Sequence, residues 1–234
     1  MLRYNLKLRV LAACLSALAG YVDALGFIEL GGFFVSFMSG NSTRLGVGLE
    51  GVRESAHWSI AGGLIASFVA GVVFGTIVGR FAYRRRHVVL LLLVSLCLAA
   101  AATCYGFGLS IPAVGLMAFA MGMENTVFER DGEVSIGLTY MTGTLVKMGQ
   151  RMATALMGGP RFAWMAYFGL WLGLISGAFA GALIYPYMGL SALWFAAFAA
   201  AGLAFVSARA SVTPQSVIVA EISAPTSARG KPGA

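Results

Sequence analysis

Charged side chains are scarce in this sequence. Asp, Glu, Lys and Arg make up 11% of its 234 residues, and hydrophobic residues make up 59%, whereas soluble domains contain about 25% charged and at most about 50% apolar residues. Several mostly apolar stretches are each long enough to cross a hydrocarbon core of about 30 Å. A soluble protein of this size could not bury so much apolar surface. The composition therefore predicts an all-α, polytopic membrane protein.

Cysteine, histidine and catalytic motifs are equally sparse. Cys14, Cys97 and Cys104 lie in apolar segments without CxxC or Cys/His spacing, so neither a disulfide framework nor a metal site is expected. His57 and His87 lie at segment edges. No Ser/His/Asp set, HExxH or GxSxG motif occurs, so we expect no enzyme, no catalytic residue and no cofactor. The net charge of +7 is expected in cytoplasmic loops and does not indicate a nucleic-acid partner.

Long apolar segments predict the membrane spans. The predicted spans are 7–30, 56–80, 88–108, 111–130, 162–186 and 190–208. Two shorter and more polar segments, 33–50 and 134–157, interrupt them. We therefore expect one integral membrane domain over 1–210, with repeat A at about 7–108 and repeat B at about 111–208. The remainder, 211–234, is predicted to be a disordered cytoplasmic tail because it has little apolar surface to bury.

Basic residues set the expected orientation. The run "RFAYRRRH" (80–87) is the strongest cytoplasmic signal, and Arg3, Lys7 and Arg9 agree with it if both termini are cytoplasmic. When the two short segments re-enter on the same side, only Arg44 and Arg53 of the Lys and Arg residues lie outside. When both segments cross, the 80–86 cluster lies outside. Six spans with two re-entrant segments are therefore favoured. Separately, "VLAACLSALAG" near the start has the pattern of a signal peptide.

Two polar decamers indicate an internal repeat. "FMSGNSTRLG" (37–46) and "YMTGTLVKMG" (140–149) match when Gly40 is aligned with Gly143, and Asp23 then corresponds to Asn125 within one residue. A ladder of small residues at period four follows in each half, which favours close helix packing and a possible homodimer. The ladders are Gly63, Ser67, Gly71, Gly75 and Gly79, and then Gly169, Gly173, Gly177 and Gly181.

Each repeat has three spans and one interrupted segment, and an odd number of crossings inverts the second copy. This predicts two inverted-topology repeats, the plan of secondary transporters, whose sites lie where broken helices meet near the midplane. The alternative is eight spans in two parallel repeats. The N–H groups of two facing half-helices would favour an anion or a carbonyl-bearing solute. The predicted substrate-binding residues are Asp23, Ser39, Gly40, Asn41, Arg44, Glu124, Asn125, Thr142, Gly143, Thr144 and Lys147.

The acidic residues within the spans allow two interpretations. Ionisable groups in a membrane normally face a partner or a watery cavity. Asp23 could pair with Arg44 or Lys147 and only hold a half-helix in place. Alternatively, Asp23 and Glu124 respond to protons or substrate beside the cavity.

The sequence also resembles a known family. "GYVDALGFIELGGFFVSFMSGN" together with "AFAMGMENTVF" and "LTYMTGTL" is similar to the YoaK-like bacterial inner-membrane proteins, a family named for unknown function. The resemblance covers residues 10 to 208 and implies a multi-span protein of the bacterial inner membrane, without an established substrate. Ser39 and Ser42 stand where threonine-type residues are expected, and the hydroxyl chemistry is kept.

Two functions remain open at this stage. The first is a transporter or channel for a small solute, which the paired broken segments favour. The second is a membrane scaffold or sensor subunit, in which the ladders serve only helix packing. The lipid bilayer is the expected partner in both cases. The sequence leaves open the solute, the coupling ion and direction, the choice between channel and carrier, and the oligomeric state.

Overall fold

The structure is a computed structural model, and it describes residues 6–49, 56–130, 133–134 and 136–209. Within these ranges the chain forms eight α-helices and one short antiparallel hairpin. The helices are α1 (Leu6–Glu29), α2 (Met38–Gly48), α3 (Ala56–Phe81), α4 (Arg86–Gly106), α5 (Ser110–Asn125), α6 (Met141–Leu156), α7 (Met165–Met188) and α8 (Leu193–Arg209). The hairpin pairs β1 (Glu129–Arg130) with β2 (Glu133–Val134). The predicted tail, 211–234, lies outside the described residues.

Each predicted span corresponds to one helix, and the fourth differs most. It was expected to continue to residue 130, but α5 ends at Asn125. There the side chain of Asn125 donates to the carbonyl of Met121 (2.9 Å), and the hydroxyl of Thr126 donates to that of Met123 (2.7 Å). Side chains that bind nearby carbonyls in this way compete with a continuing helix. The β1–β2 hairpin follows.

Length and apolarity mark four stretches of the described chain as able to cross a membrane. They are Leu6–Glu29, Trp58–Phe81, Arg86–Gly106 and Met165–Arg209, and the last contains both α7 and α8. Large apolar side chains such as Val69, Leu96, Phe179 and Phe198 are exposed on the outer faces of these helices. A hydrocarbon environment covers such a surface at no cost. The expectation of a helical membrane protein is confirmed.

Helix α1 packs along α7 through small residues. A Cβ atom placed on Gly173 would lie 2.6 Å from the carbonyl oxygen of Ala13, and one placed on Gly181 would lie 2.7 Å from that of Tyr21. The numbering rises in the same direction along both helices, so α1 and α7 run parallel. Glycine permits this close approach because it has no side chain to hold the two backbones apart.

Helix α3 packs along α5 in the same manner. The hydroxyl of Ser67 donates to the carbonyl of Gly115 (2.7 Å), and a Cβ atom on Gly75 would lie 3.2 Å from the Cα atom of Met123. The numbering again rises along both helices, so α3 and α5 are also parallel.

The two packed pairs make matching contacts. Gly177 of α7 abuts the backbone of Ala17 in α1, and Gly71 of α3 abuts the backbone of Phe119 in α5. In each pair a helix of the first half packs on a helix of the second half. The first helix of each half also contributes a glycine that abuts its partner's backbone, Gly20 at Leu174 and Gly122 at Phe68.

The glycine ladders are contact faces only in part. A side chain on Gly63 or on Gly169 would have no atom of the described chain within 4 Å, and one on Gly79 would meet the side chain of Arg86. The expectation of continuous ladders is therefore wrong at Gly63 and Gly169. Period four keeps residues on one helix face only approximately, because a turn has 3.6 residues, so the ends of a ladder rotate away from the partner.

Two tyrosines bring three helix ends together. The hydroxyl of Tyr185 in α7 donates to Oε2 of Glu29 at the end of α1 (2.8 Å). The hydroxyl of Tyr105, at the end of α4, lies against Gly189 just after α7. The C-termini of α1, α4 and α7 therefore share one end of the bundle, which we call the Glu29 end.

Short turns join α3 to the start of α4 and the end of α4 to α5. Both α3 and α5 therefore run opposite to α4, and their C-termini lie at the other end of the bundle. There the guanidinium of Arg86 forms a salt bridge of 2.6 Å with Glu129. We call this the Glu129 end.

Candidate functional site

The five residues before α2, which we call segment A (33–37), form irregular and mostly buried backbone. The N–H groups of Val35 and Ser36 both donate to Oδ1 of Asp23, at 2.8 Å each. The fully buried side chain of Asn41 accepts from the N–H of Phe34 (3.0 Å) and donates to its carbonyl (2.5 Å). Asp23 on α1 and Asn41 on α2 thus replace the backbone partners that segment A cannot provide itself.

The five residues before α6, segment B (136–140), are held in a comparable way. The hydroxyl of Thr139 donates to Oδ1 of Asn125 at the end of α5 (3.1 Å). The hydroxyl of Ser16 on α1 lies 3.2 Å from the carbonyl oxygen of Leu138 and 3.0 Å from that of Leu170, and donates to both. Asn125 therefore anchors the segment before α6 as Asp23 anchors the segment before α2.

Both short helices begin with the same turn. The N–H of Met38 donates to the carbonyl of Ser36, and the N–H of Met141 donates to that of Thr139. Neither helix has a side-chain cap at its N-terminus. The first N–H groups of a helix have no acceptor within it, so both N-termini present donors and the positive end of a helix dipole. The predicted starts of the two half-helices agree with the structure within one residue.

Segments A and B contact the same two central helices. Segment A reaches Asp23 of α1, and its Val35 side chain lies at Gly26, where the methyl group of Met117 from α5 also approaches. Segment B reaches Ser16 of α1 and Asn125 at the end of α5. At a rise of 1.5 Å per residue, the two contacts on α1 are about 10 Å apart along the helix axis. Segment A enters from the Glu29 end and segment B from the Glu129 end.

The predicted cations lie in different environments. The guanidinium carbon of Arg44 sits 4.9 Å from the centre of the Phe33 ring, so this side chain leans back toward segment A. Lys147 is exposed. The alternative in which Asp23 pairs with Arg44 or Lys147 is wrong, because the carboxylate of Asp23 accepts backbone N–H groups instead. The amides of segment A provide two donors at closer range than a long, flexible side chain.

The remaining predicted site residues differ in how far they are buried. Glu124 is fully buried, and neither of its carboxyl oxygens has a hydrogen-bond partner among the described residues. Thr144 is buried and Gly40 is half-buried, whereas Ser39, Thr142 and Gly143 are exposed. The structure brings segments A and B onto common helices, but α2 packs on α3 and α6 packs on α7. Close packing of α2 on α6 does not occur in the described chain.

One polar network was missed by the sequence analysis. Arg86 donates to Oε2 of Glu129 and to the carbonyl of Thr126 (3.1 Å), and the hydroxyl of Thr76 donates to the same carboxylate (2.9 Å). The network ties α3, α4 and the end of α5 together. Arg86 was used only as an orientation signal, and Glu129 lies beyond the polar pattern that marked the repeat. An isolated Glu at the end of an apolar segment is the signal that points to such a partner.

An apolar groove lies elsewhere on the described chain. It has a volume of about 470 Å³ between α1, α7 and α8, and its walls include Ala17, Leu18, Gly177, Phe195 and Leu203. None of the predicted site residues lines it. Its wall is almost entirely apolar, and the hydroxyl of Tyr21, which also lines it, already donates to the carbonyl of Ala192 (3.0 Å), so this groove is not the site predicted from the sequence.

Comparison with known proteins identifies the family. The family described as "Protein of unknown function (DUF1275)" matches residues 11–206. The chain belongs to this family. The DUF1275 chain is also similar to the UPF0700 transmembrane protein RA0705 of Rhizobium meliloti (strain 1021), at 38% identity over 193 residues, which cover 81% of each chain. No solved structure matches it. An uncharacterised family of membrane proteins was expected and is confirmed, and the YoaK-like name stays a resemblance.

Proposed function

We propose that this DUF1275 protein is a transporter or channel for a small anionic solute, whose path passes between segments A and B. One observation carries the proposal: two mostly buried, irregular segments, each followed by a helix N-terminus, contact the same helix, α1, at Asp23 and at Ser16. Irregular backbone at membrane depth is tolerated only where it is buried in protein or lines a cavity. Broken helices that meet in this way bind solutes in secondary transporters.

An inverted repeat accounts for the helix directions. In this proposal α1 to α4 form one unit and α5 to α8 the other, with α2 and α6 as the re-entrant parts and the other six helices as spans. The antiparallel directions of α1 and α5 support the inversion, as do the matching contacts of Gly177 with Ala17 and of Gly71 with Phe119. Eight spans in parallel repeats would require α1 and α5 to run the same way.

The charge around the two N-termini favours an anion. The carboxylate of Asp23 already takes two N–H groups of segment A, so the solute would meet the first turn of α2 at Ser39 and Gly40. The corresponding donors on α6 belong to Thr142 and Gly143. Both sets lie at positive ends of helix dipoles, with Arg44 and Lys147 one turn further on.

The orientation follows from the basic residues. Arg80, Arg85 and Arg86 lie at the Glu129 end, so we assign that end to the cytoplasm of a bacterial inner membrane. Both termini are then cytoplasmic as well. A homodimer through the glycine-ladder helices is also proposed. Gly63 and Gly169 are the ladder positions open to a second copy, because a side chain there would have no neighbour within 4 Å.

Flux measurements on purified protein in liposomes test the function, with chloride, nitrate and phosphate as probes. Gly143→Val is the informative variant, because a side chain there has no atom of the described chain within 4 Å and the fold should tolerate it. Gly149→Val is the matched control, since it has the same free space on the same helix. We expect flux in the wild type and the control, and at least about a tenfold loss in Gly143→Val. Gly40→Val is less clean, because its Cβ would lie 2.8 Å from the Phe37 ring.

The scaffold or sensor alternative draws on one observation: both hydrogen bonds of the Asp23 carboxylate and two of those of Asn41 hold segment A. Under that alternative no probe anion crosses faster than in empty liposomes, and Gly143→Val behaves like Gly149→Val. The first result would contradict transport of small anions, and the second would contradict a path past the N-terminus of α6.

A further inference from the structure

Asp23 anchors segment A, and Glu124 directly precedes Asn125, which anchors segment B; the two carboxyl groups differ in what surrounds them. Asp23 accepts two backbone N–H groups. Glu124 is fully buried, and neither of its oxygens has a partner among the described residues. A buried carboxylate without donors is very costly, and a carboxyl group avoids that cost by holding a proton. Glu124 is therefore a different kind of site from Asp23.

Packing alone does not require a carboxyl group at this position. Gly20 and Gly122 make equivalent contacts in the two halves, so Val22 in α1 corresponds to Glu124 in α5. Val22 is fully buried as well. The same place in the fold thus accepts an apolar side chain in one half, while the other half carries an acid at a cost to stability.

One cation close in sequence and space to the end of α5 is already engaged. Arg86 of α4 contacts the carbonyl of Thr126, two residues beyond Glu124, but its guanidinium is bound to Glu129. On the helices packed against α5, the other charged or titratable residues include Lys7, Arg9, Tyr21, Asp23 and Glu29 on α1, Arg80 on α3 and His87 on α4. The carboxylate of Asp23 is held by segment A, the ring of His87 packs 5.6 Å from that of Phe128, and Arg80 is exposed.

A proton suits this site better than a metal cation. Hard cations take about six to eight oxygen ligands, and Glu124 offers two, while the neighbouring Oδ1 of Asn125 already accepts from Thr139. A proton needs a single lone pair. Ionisable residues buried inside membrane proteins commonly serve as proton relays.

We propose that Glu124 binds the proton that accompanies the solute, so that the protein is a proton-coupled anion carrier. The inference rests on the proposed function. Exchange of this proton requires the bundle to open at α5, because the carboxyl group has no contact with solvent in the state described here. Asp23 has a positioning role in this scheme and carries no proton during transport.

Infrared spectroscopy tests the proton site without any transport. The wild type, Glu124→Gln and Glu29→Gln are compared in vesicles of phosphatidylcholine and phosphatidylglycerol. We expect the C=O stretching band of a protonated carboxyl group in the wild type and in Glu29→Gln, and its loss in Glu124→Gln. Glu124→Val, which copies Val22, repeats the test if Glu124→Gln does not fold. A band that is absent from the wild type, or unchanged in Glu124→Gln, would overturn the assignment.

A pH gradient across liposomes tests the coupling, with the three probe anions used above. For one proton per anion, a gradient of one pH unit supports about tenfold accumulation. We expect accumulation in the wild type, its loss in Glu124→Gln and its recovery in Glu124→Asp, with Glu29→Gln as the unaffected control. Accumulation by Glu124→Gln would overturn the inference. If the wild type carries no probe anion at all, the proposed function fails, and the infrared band still decides whether Glu124 holds a proton.

Discussion

Replacing Gly177 by alanine should separate α1 from α7. A Cβ atom at this position collides with the carbonyl of Ala17, which is backbone and cannot rotate aside. Overpacking of this kind costs about 1–3 kcal/mol, and alanine returns about 0.5–1 kcal/mol of helix preference relative to glycine. The midpoints of the two ranges give a net loss of about 1 kcal/mol, which lowers the melting temperature by about 2–4 °C for a chain of this length.

Gly169 provides a control on the same helix. A Cβ atom there has no neighbour within 4 Å, so Gly169→Ala should keep the helix gain and melt at or slightly above the wild type. The pair Gly71→Ala and Gly63→Ala repeats the comparison on α3, where Gly71 abuts Phe119 and Gly63 is free. Thermal unfolding in detergent, followed by tryptophan fluorescence, measures all four variants. Equal melting temperatures for Gly177→Ala and Gly169→Ala would refute the assigned packing of α1 on α7.

Two further predictions concern buried polar groups. Asp23→Leu leaves the N–H groups of Val35 and Ser36 without an acceptor, which costs about 1–3 kcal/mol for each group, whereas Asp23→Asn keeps an oxygen that can accept them. In size-exclusion chromatography, only the leucine variant should fail to yield folded protein. A normal yield of folded Asp23→Leu would contradict the role of Asp23 in holding segment A. Glu129→Leu removes the oxygen that accepts from Arg86 and Thr76 and leaves the guanidinium without a counter-charge, which should cost about 3–5 kcal/mol in thermal unfolding. A melting temperature equal to that of the wild type would count against the network.

Most of the helices could be predicted from the sequence because apolar length is a local property. The starts of α2 and α6 were also predictable, since glycine and hydroxyl residues follow β-branched and aromatic ones at both places. The end of α5 was not, because it depends on side chains of Asn125 and Thr126 that turn back on their own helix. Apolar composition alone does not reveal this competition.

Contact partners were harder to predict than contact faces. The period of the glycines indicates which face of α7 is small, but not that this face packs on α1 of the other half. The role of Asp23 shows the same limit: its charge suggested a cation as partner, whereas the folded chain supplies two amides of segment A. Such partners depend on how the chain returns from the end of α1, which no residue pattern encodes locally.

Both proposals depend on two re-entrant parts, each of which enters and leaves the membrane on one side: the chain from the end of α1 to the start of α3, and the chain from the end of α5 to the start of α7. Single cysteines in a background without Cys14, Cys97 and Cys104 test this with an impermeant thiol reagent in intact cells and in inverted vesicles. The exposed positions suited to the test are Leu6, Leu49, Arg85, Phe107 and Met157. We predict that positions 49 and 107 are labelled from the periplasm and positions 6, 85 and 157 from the cytoplasm. Labelling of positions 6 and 49 from the same side would show that α2 crosses the membrane and would contradict the inverted repeat.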